Sequence, residues 1–242
     1  MRALPPLGAA ALLMGWSACY APGGFTVDLP PALPVPTVGC DALDSGDGDG
    51  TWYDADGGGA CGFEPHSSPS PLLIAAINQD DWAGALPCGA CAEVVGPHGA
   101  VTVTIVDLCP ECVKGDLDLS PAAFERIAPL VDGRVPITWR LAPCDVEGPA
   151  IWHFKRGTNP WWAAIQLRNH RNQVAAVQVD PGDGWRSMPR TEWNHFVAED
   201  GLGDGPLRLR AIDVHGAVIV DDAVPLLSGR GVDASDQFPA CE

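Results

Sequence analysis

From residue 150 onward, apolar and polar positions alternate in short runs: IWHFKRG, WWAAIQLRNH, QVAAVQVD, GWRSM, NHFVAE, PLRLRAIDV and AVIVDD, separated by Gly, Pro, Asn and Asp turns. A period of two marks half-buried strands. About seven such strands over roughly ninety residues predict an antiparallel sandwich. Between residues 65 and 145 the pattern is mixed. PLLIAAINQDDW suits a short helix or strand, CAEVVGPHGAVTVTIVDL reads as two strands joined by a turn, and VPITWRLAPC as another strand. SPAAFERIAPL predicts a short helix, with a Ser cap and Pro in its first turn. The Asp/Gly-rich stretch 41–63 lacks EF-hand spacing and reads as a solvated loop leading into a first strand. Residues 20–39, rich in Pro and Gly with one charge, read as an extended tether.

Charge and length narrow the function classes. The chain has 242 residues, enough for one large or two ordinary domains, and a formal charge of −17. Residues 41–148 carry 18 acids against 4 bases, and 149–242 carry 12 against 9, so the first region holds most of the excess. Such a surface disfavours nucleic acid and anionic lipid as partners, and favours a neutral glycan over an acidic one.

The N-terminal MRALPPLGAAALLMGWSAC has one Arg and a short apolar run before small residues, the pattern of an export signal over 1–18. Ser17-Ala18-Cys19 resembles a bacterial lipobox, with Trp16 where Leu is usual, so Cys19 is a candidate lipidation site and membrane anchor. Nine cysteines are present; setting Cys19 aside leaves eight, enough for four disulfides in an oxidising compartment.

Cys88/Cys91 and Cys109/Cys112 are two CxxC pairs whose spacing also matches a four-thiolate zinc site or a redox pair. Export and the need to partner four further cysteines favour disulfides, and neither a metal nor a cofactor is required. Asp107 ends the strand VTVTIVD and Asp118 precedes the Ser cap. Carboxylates so placed serve acid chemistry or sugar binding, and a turn-capping role fits Asp118 equally well. On the strand after the adjacent tryptophans, Ala163, Ile165 and Leu167 share one face and Ala164, Gln166 and Arg168 the other. Parity turns Trp162 outward with the polar face, and Trp161 inward unless Pro160 bends the chain. Trp139, Trp152 and Trp185 fit the core.

Together these segments resemble a known family. WWAAIQLRNH, the NHF of EWNHFV, the DGW hairpin and QFP, with GTWY, GGACGF, CGACAEV, VTIVDLCPEC and GDLDLSPAAFERIA, are similar to bacterial expansins from about residue 45 to the end. GGACGF and CGACAEV also resemble plant expansins and group-1 grass pollen allergens. The resemblance implies a mainly β protein: a double-psi β-barrel over 45–146, after a tether over 19–44, and an immunoglobulin-like carbohydrate-binding sandwich over 147–242. It implies cellulose binding and plant cell-wall loosening without hydrolysis by a secreted or outer-surface bacterial protein, and nothing demands more than a monomer.

Carried over, Asp118 falls on the essential aspartate, Asp107 and Thr51 on supporting polar positions, and Glu111 on a lesser groove carboxylate. Trp161, Trp162 and Trp193 fall on an aromatic platform beside Lys155. By the same analogy Cys61 pairs with Cys88 and Cys91 with Cys144, leaving Cys109–Cys112 and Cys40–Cys241. Cys109 stands where many bacterial relatives have a groove Tyr, which removes one stacking contact. The acidic first region departs from basic members that bind anionic wall polymers.

Two rival readings share the barrel. Family-45 endoglucanases use an acid corresponding to Asp118 and a base in a TRYWD-type segment; here TWYDAD puts Asp54 one place early and Asp56 one place late. A one-residue slip on a strand turns a side chain to the opposite face, which favours the non-hydrolytic reading. A peptidoglycan-acting lipoprotein of the rare lipoprotein A type suits the lipobox and GDLDLS, but not the tryptophan pair.

Overall fold

The computed structural model describes residues 25–63 and 72–240; the segment 1–18 read as an export signal, Cys19 and Cys241 lie outside them. Strands β1 (Ser45–Trp52), β2 (Ile74–Asn78), β3 (Cys91–Gly96), β4 (Gly99–Cys109), β5 (Leu117–Leu119) and β6 (Arg134–Ala142) close a barrel in the order β1-β5-β2-β4-β3-β6. The pairs β1/β5 and β2/β4 run parallel and the other four antiparallel. Inside it are Ile74, Ile77, Ile105, Leu117, Leu119 and Leu141, joined by Trp82 and Phe124.

The stretch read as a solvated loop contains β1 itself. Its inward positions are Gly46, Gly48 and Gly50, while Asp47 and Thr51 face out. A Cβ on Gly46 would stand 2.7 Å from the Trp139 ring, and one on Gly48 2.5 Å from the backbone of Gly115. The strand thus has its period of two, but with glycine where apolar side chains would reveal it.

The predicted helix shrinks to α1 (Pro121–Phe124) followed by turns, because Pro129 disfavours helix at the residue before it. Ser120 makes no side-chain cap; its hydroxyl donates to Leu72 O at 2.5 Å and accepts the Ile74 N–H at 3.4 Å, tying the turn to β2.

The remaining strands are β7 (Ile151–Phe154), β8 (Ala163–Arg168), β9 (Val174–Asp180), β10 (Arg186–Met188), β11 (Phe196–Ala198), β12 (Leu207–Asp213), β13 (Val218–Val224) and β14 (Arg230–Asp233). They form two sheets, β10-β9-β12-β13 and β11-β8-β7-β14, packed over Trp152, Phe154, Leu209 and Phe238. The added strand, β14, is mostly exposed and has no alternation to betray it. The segment 25–38 lies against this sandwich: Val27 and Leu29 pack on its core, and Ala32 and Val38 donate N–H groups to Trp185 O and Val214 O. Among the described residues no helix is long and apolar enough to cross a membrane.

Candidate functional site

Strand register lines up a polar row on the barrel wall, called the groove below. Thr51 of β1 is paired with Asp118 of β5, Asp118 with Ala76 of β2, and Ala76 with Asp107 of β4. The four form one row across the wall, facing out because Leu117 and Leu119 on either side of Asp118 fill the core. Asp107 and Asp118 stand two strand spacings apart, about 10 Å, with only the Ala76 methyl between. Asp107 reaches the row through a bulge. Ala75 pairs with Ile105 but Ala76 with Asp107, so Val106 is extra; Ile105 and Val106 both turn inward and Asp107 turns out.

Within the row Thr51 Oγ1 donates to Asp118 Oδ1 at 2.6 Å. Burial raises the pKa of Asp118, and the carboxylates of Glu111 and Asp107 push the same way, against the Thr51 hydroxyl and Arg134. Asp118 therefore keeps its proton to higher pH than an exposed aspartate. Asp107 is differently employed: its Oδ1 accepts the Ala60 N–H at 2.6 Å and the Leu108 N–H at 2.8 Å. Glu111 is exposed on the Cys109–Cys112 loop. Asp54 and Asp56 are exposed, and the carboxylates acting on Asp118 are Glu111 and Asp107 rather than these two.

Tyr53 belongs with this group, and the sequence reading passed over it. It follows Thr51 by two, its Oη is buried with no hydrogen-bond partner, and burial followed by Asp107, Asp118 and Asp56 raises its pKa. Its place in TWYD, in phase with Thr51, was the available signal.

A short strap, Gly58–Phe63, runs from the groove to the sandwich. Gly59 lies on Asp107, where a Cβ would stand 2.6 Å from the aspartate Cβ, and Cys61 is bonded to Cys88. Cys61 O accepts from Gln166 Nε2 at 2.8 Å, and Gly62 O from Arg168 at 3.2 Å. Gly62 takes φ +68° with the Trp193 carbonyl and the His195 ring against it.

Beyond the strap lie the tryptophans. Asn194, at φ +55°, tightens the turn Thr191–His195 that displays Trp193. Lys155 Nζ lies 5.1 Å from the Trp193 ring centroid, and the His195 ring, tilted by 38°, has its centroid 4.7 Å from the same point. Trp161 is 71 % exposed, and half-buried Trp162 donates its indole N–H to Glu199 at 3.0 Å. The inward orientation that parity gave Trp161 does not occur. Both tryptophans precede β8 in a turn closed by Asn159 and Trp162, where alternation has no hold.

The chain as a whole is similar to known proteins. The chain is 39 % identical over 186 residues to expansin-YoaJ of Bacillus subtilis, covering 75 % of this chain and 78 % of that protein. It belongs to the expansin family. Expansin-B3 of Arabidopsis thaliana is 33 % identical over 204 residues, covering 72 % of this chain and 77 % of its own. A crystal structure of a mutant Clavibacter michiganensis expansin in complex with cellohexaose superposes with a TM-score of 0.76 at 26 % identity, over 82 % of this chain and all of that one. Residues 46–139 also match a family model described as lytic transglycolase.

In this expansin Cys88 and Cys91 bond to Cys61 and Cys144, and Cys109 to Cys112, so the two CxxC pairs do not converge as a thiolate metal site. Cys40 is also disulfide-bonded, while Cys241, proposed as its partner, lies outside the described residues. Of the tryptophans read as core, Trp139 and Trp152 are buried. Trp185 is not: its half-exposed ring lies 4.9 Å from the Arg208 guanidinium and 4.3 Å from that of Arg210.

Proposed function

We propose that this expansin loosens plant cell walls without hydrolysis, as a secreted monomer of two modules: the barrel over 45–146 and the sandwich over 147–242. A cellulose chain, or xyloglucan or another neutral wall glycan, stacks on Trp161, Trp162 and Trp193 beside Lys155. The barrel groove then engages a strand of it through Asp118, with Thr51, Asp107, Tyr53 and Glu111 around it. Sugar C–H faces are apolar and suit exposed indoles. A half-buried, proton-retaining Asp118 suits hydrogen bonding to glycan hydroxyls.

The observation that carries this reading is the strap, which joins groove and platform into one surface through Asp107, Cys61 and Gly62. Inverting hydrolysis needs a free base about 6.5–9.5 Å from the acid. Asp107 has one oxygen committed to two backbone N–H groups, and Asp56 accepts from Gly58 at 2.9 Å.

The test has two parts. Purified protein should weaken cellulose-rich wall strips and bind cellulose, but release no reducing sugar from amorphous cellulose. Sugar release abolished by Asp118→Asn and by Asp54→Ala or Asp107→Asn would replace this reading with a weak endoglucanase. The match to the lytic transglycolase model favours a second reading, peptidoglycan as the glycan. Retention on peptidoglycan but not on cellulose, lost in Trp162→Ala, would install it.

A further inference from the structure

The CPEC turn holds two cysteines that the glycan reading leaves without a task. Cys109 is the last residue of β4, two after Asp107, and Cys112 closes a tight turn by donating its N–H to Cys109 O at 3.3 Å. Their bond spans a sequence separation of 3, against 27 for Cys61–Cys88 and 53 for Cys91–Cys144. The entropy that a cross-link removes from the unfolded chain grows with the loop it closes, so of these three bonds Cys109–Cys112 contributes least to stability. It is also the easiest to reach. Cys61, Cys88, Cys91 and Cys144 are all buried, whereas Cys112 is half-buried between exposed Glu111 and Val113. The turn bears on the polar row as well. Glu111 lies between the two cysteines, and its charge acts on Asp118, which Thr51, Asp107, Arg134 and Tyr53 also face. Thr51, Asp107 and Arg134 stand on β1, β4 and β6; Glu111 stands on the turn that the disulfide closes.

We propose that Cys109–Cys112 is a site of thiol–disulfide exchange, opened by a small dithiol, and that opening it withdraws Glu111 from the row around Asp118. Only the consequence for the wall rests on the glycan reading of that row. A thiolate of the dithiol attacks Sγ of Cys112, the more exposed residue of the pair. The S–S bond breaks, and Cys109 leaves as a thiolate that takes a proton from water. The second thiol of the reductant, deprotonated in turn, displaces Cys112 from the mixed disulfide and closes a ring. Two electrons thus pass to the protein, which ends with two thiols while the dithiol ends as a cyclic disulfide. Cys109 stays in β4, paired with Asn78, but the turn from 110 to 114 gains freedom. The Asp107 carboxylate repels that of Glu111, so the released turn carries Glu111 outward. With that charge withdrawn, Asp118 gives up its proton at a lower pH than in the closed form.

The experiment treats the whole protein with rising dithiothreitol, blocks the thiols with iodoacetamide and locates the label by peptide mapping. Carboxyl NMR of the same samples follows the titration of Asp118, and creep of wall strips is measured in parallel. Cys109 and Cys112 should be labelled at dithiol concentrations that leave Cys61–Cys88 and Cys91–Cys144 closed, and the Asp118 titration should move to lower pH. The double variant Cys109→Ser, Cys112→Ser should show the moved titration without reductant and no further response to it. Glu111→Gln should titrate at lower pH with the bond intact, and opening the bond should then add little. Earlier opening of either longer-range disulfide, an Asp118 titration that reduction leaves in place, a response that survives in the double variant, or a full shift in Glu111→Gln would each overturn the proposal. Failure of the untreated protein to loosen walls would instead bring down the glycan reading, and the exchange site would stand on the map and the titration, which need no wall.

Discussion

Asp118 and Tyr53 share one patch of barrel wall and lead to opposite expectations on mutation. Asp118 is held neutral to higher pH by burial, Glu111 and Asp107, so it can donate a hydrogen bond where an exposed aspartate would only accept. Wall loosening should therefore weaken as pH rises through its elevated pKa. Asp118→Asn keeps a donor but loses the titrating proton; its activity should fall several-fold, the scale of about 1 kcal/mol for one neutral hydrogen bond, and its pH profile should flatten. Creep of wall strips measured across pH checks both, and a variant whose profile kept its slope would remove Asp118 from that role. The Tyr53 hydroxyl is buried without a partner. A fold gains nothing from such a group, so Tyr53→Phe should leave thermal stability unchanged or slightly higher. Loosening should nevertheless drop, because the hydroxyl gains a partner only when the barrel wall opens to a ligand. A fall in melting temperature with normal loosening would mean that the hydroxyl serves the fold.

Strap and platform test how far pattern alone reaches. The Cys61–Cys88 bond closes a separation of 27 residues, for which loop entropy gives about 3.5 kcal/mol. Replacing both with Ala should lower the melting temperature and cut loosening more than cellulose binding, since the tryptophans stand on the sandwich and only their link to Asp107 is slackened. Trp161→Ala should weaken cellulose retention several-fold, as about 1 kcal/mol of aromatic contact implies. Trp162→Phe, which gives up only the bond to Glu199, should weaken it less.

Most sandwich strands were legible because one face is apolar and the other wet. β1 was not, because its buried face is Gly46, Gly48 and Gly50, chosen for close approach and invisible to hydropathy. Asp107 could be placed at a strand end, but the bulge at Val106 that turns it outward leaves no mark in composition. Trp161 escaped parity because it sits in a turn. Trp185 escaped because paired guanidinium groups, rather than a core, cover its ring. Asp118 stood out in the sequence through the family likeness of GDLDLS, since spacing alone suited a turn residue equally well.

The barrel and sandwich meet over polar contacts that acid should loosen. Trp82 Nε1 donates to Glu192 at 2.9 Å, Arg190 to Ala85 O at 2.9 Å, and Gln166 to Cys61 O at 2.8 Å. Two histidines are buried along the same seam. His170 lies against Gly89, where a Cβ would stand 2.5 Å from its Nε2, and burial with the Arg190 charge lowers its pKa to about 4. His195 lies against Gly62, and burial with Lys155, Arg168 and His153 lowers its pKa to about 4 as well. Each starts from 6.5 in the unfolded chain, so the unfolded state takes up protons first. Their contribution to stability is complete above that value and is lost as pH falls towards 4. Linkage gives a loss of roughly 2 kcal/mol per histidine by pH 5. Carboxylates titrate mostly lower, near 4, so relief of the −17 net charge opposes the trend only at the acid end. Melting temperature should therefore decline from pH 7 to pH 5, and less steeply in His170→Gln and His195→Gln. Calorimetry at the two pH values decides it: equal melting temperatures would mean that the seam opens to admit charged imidazoles without unfolding.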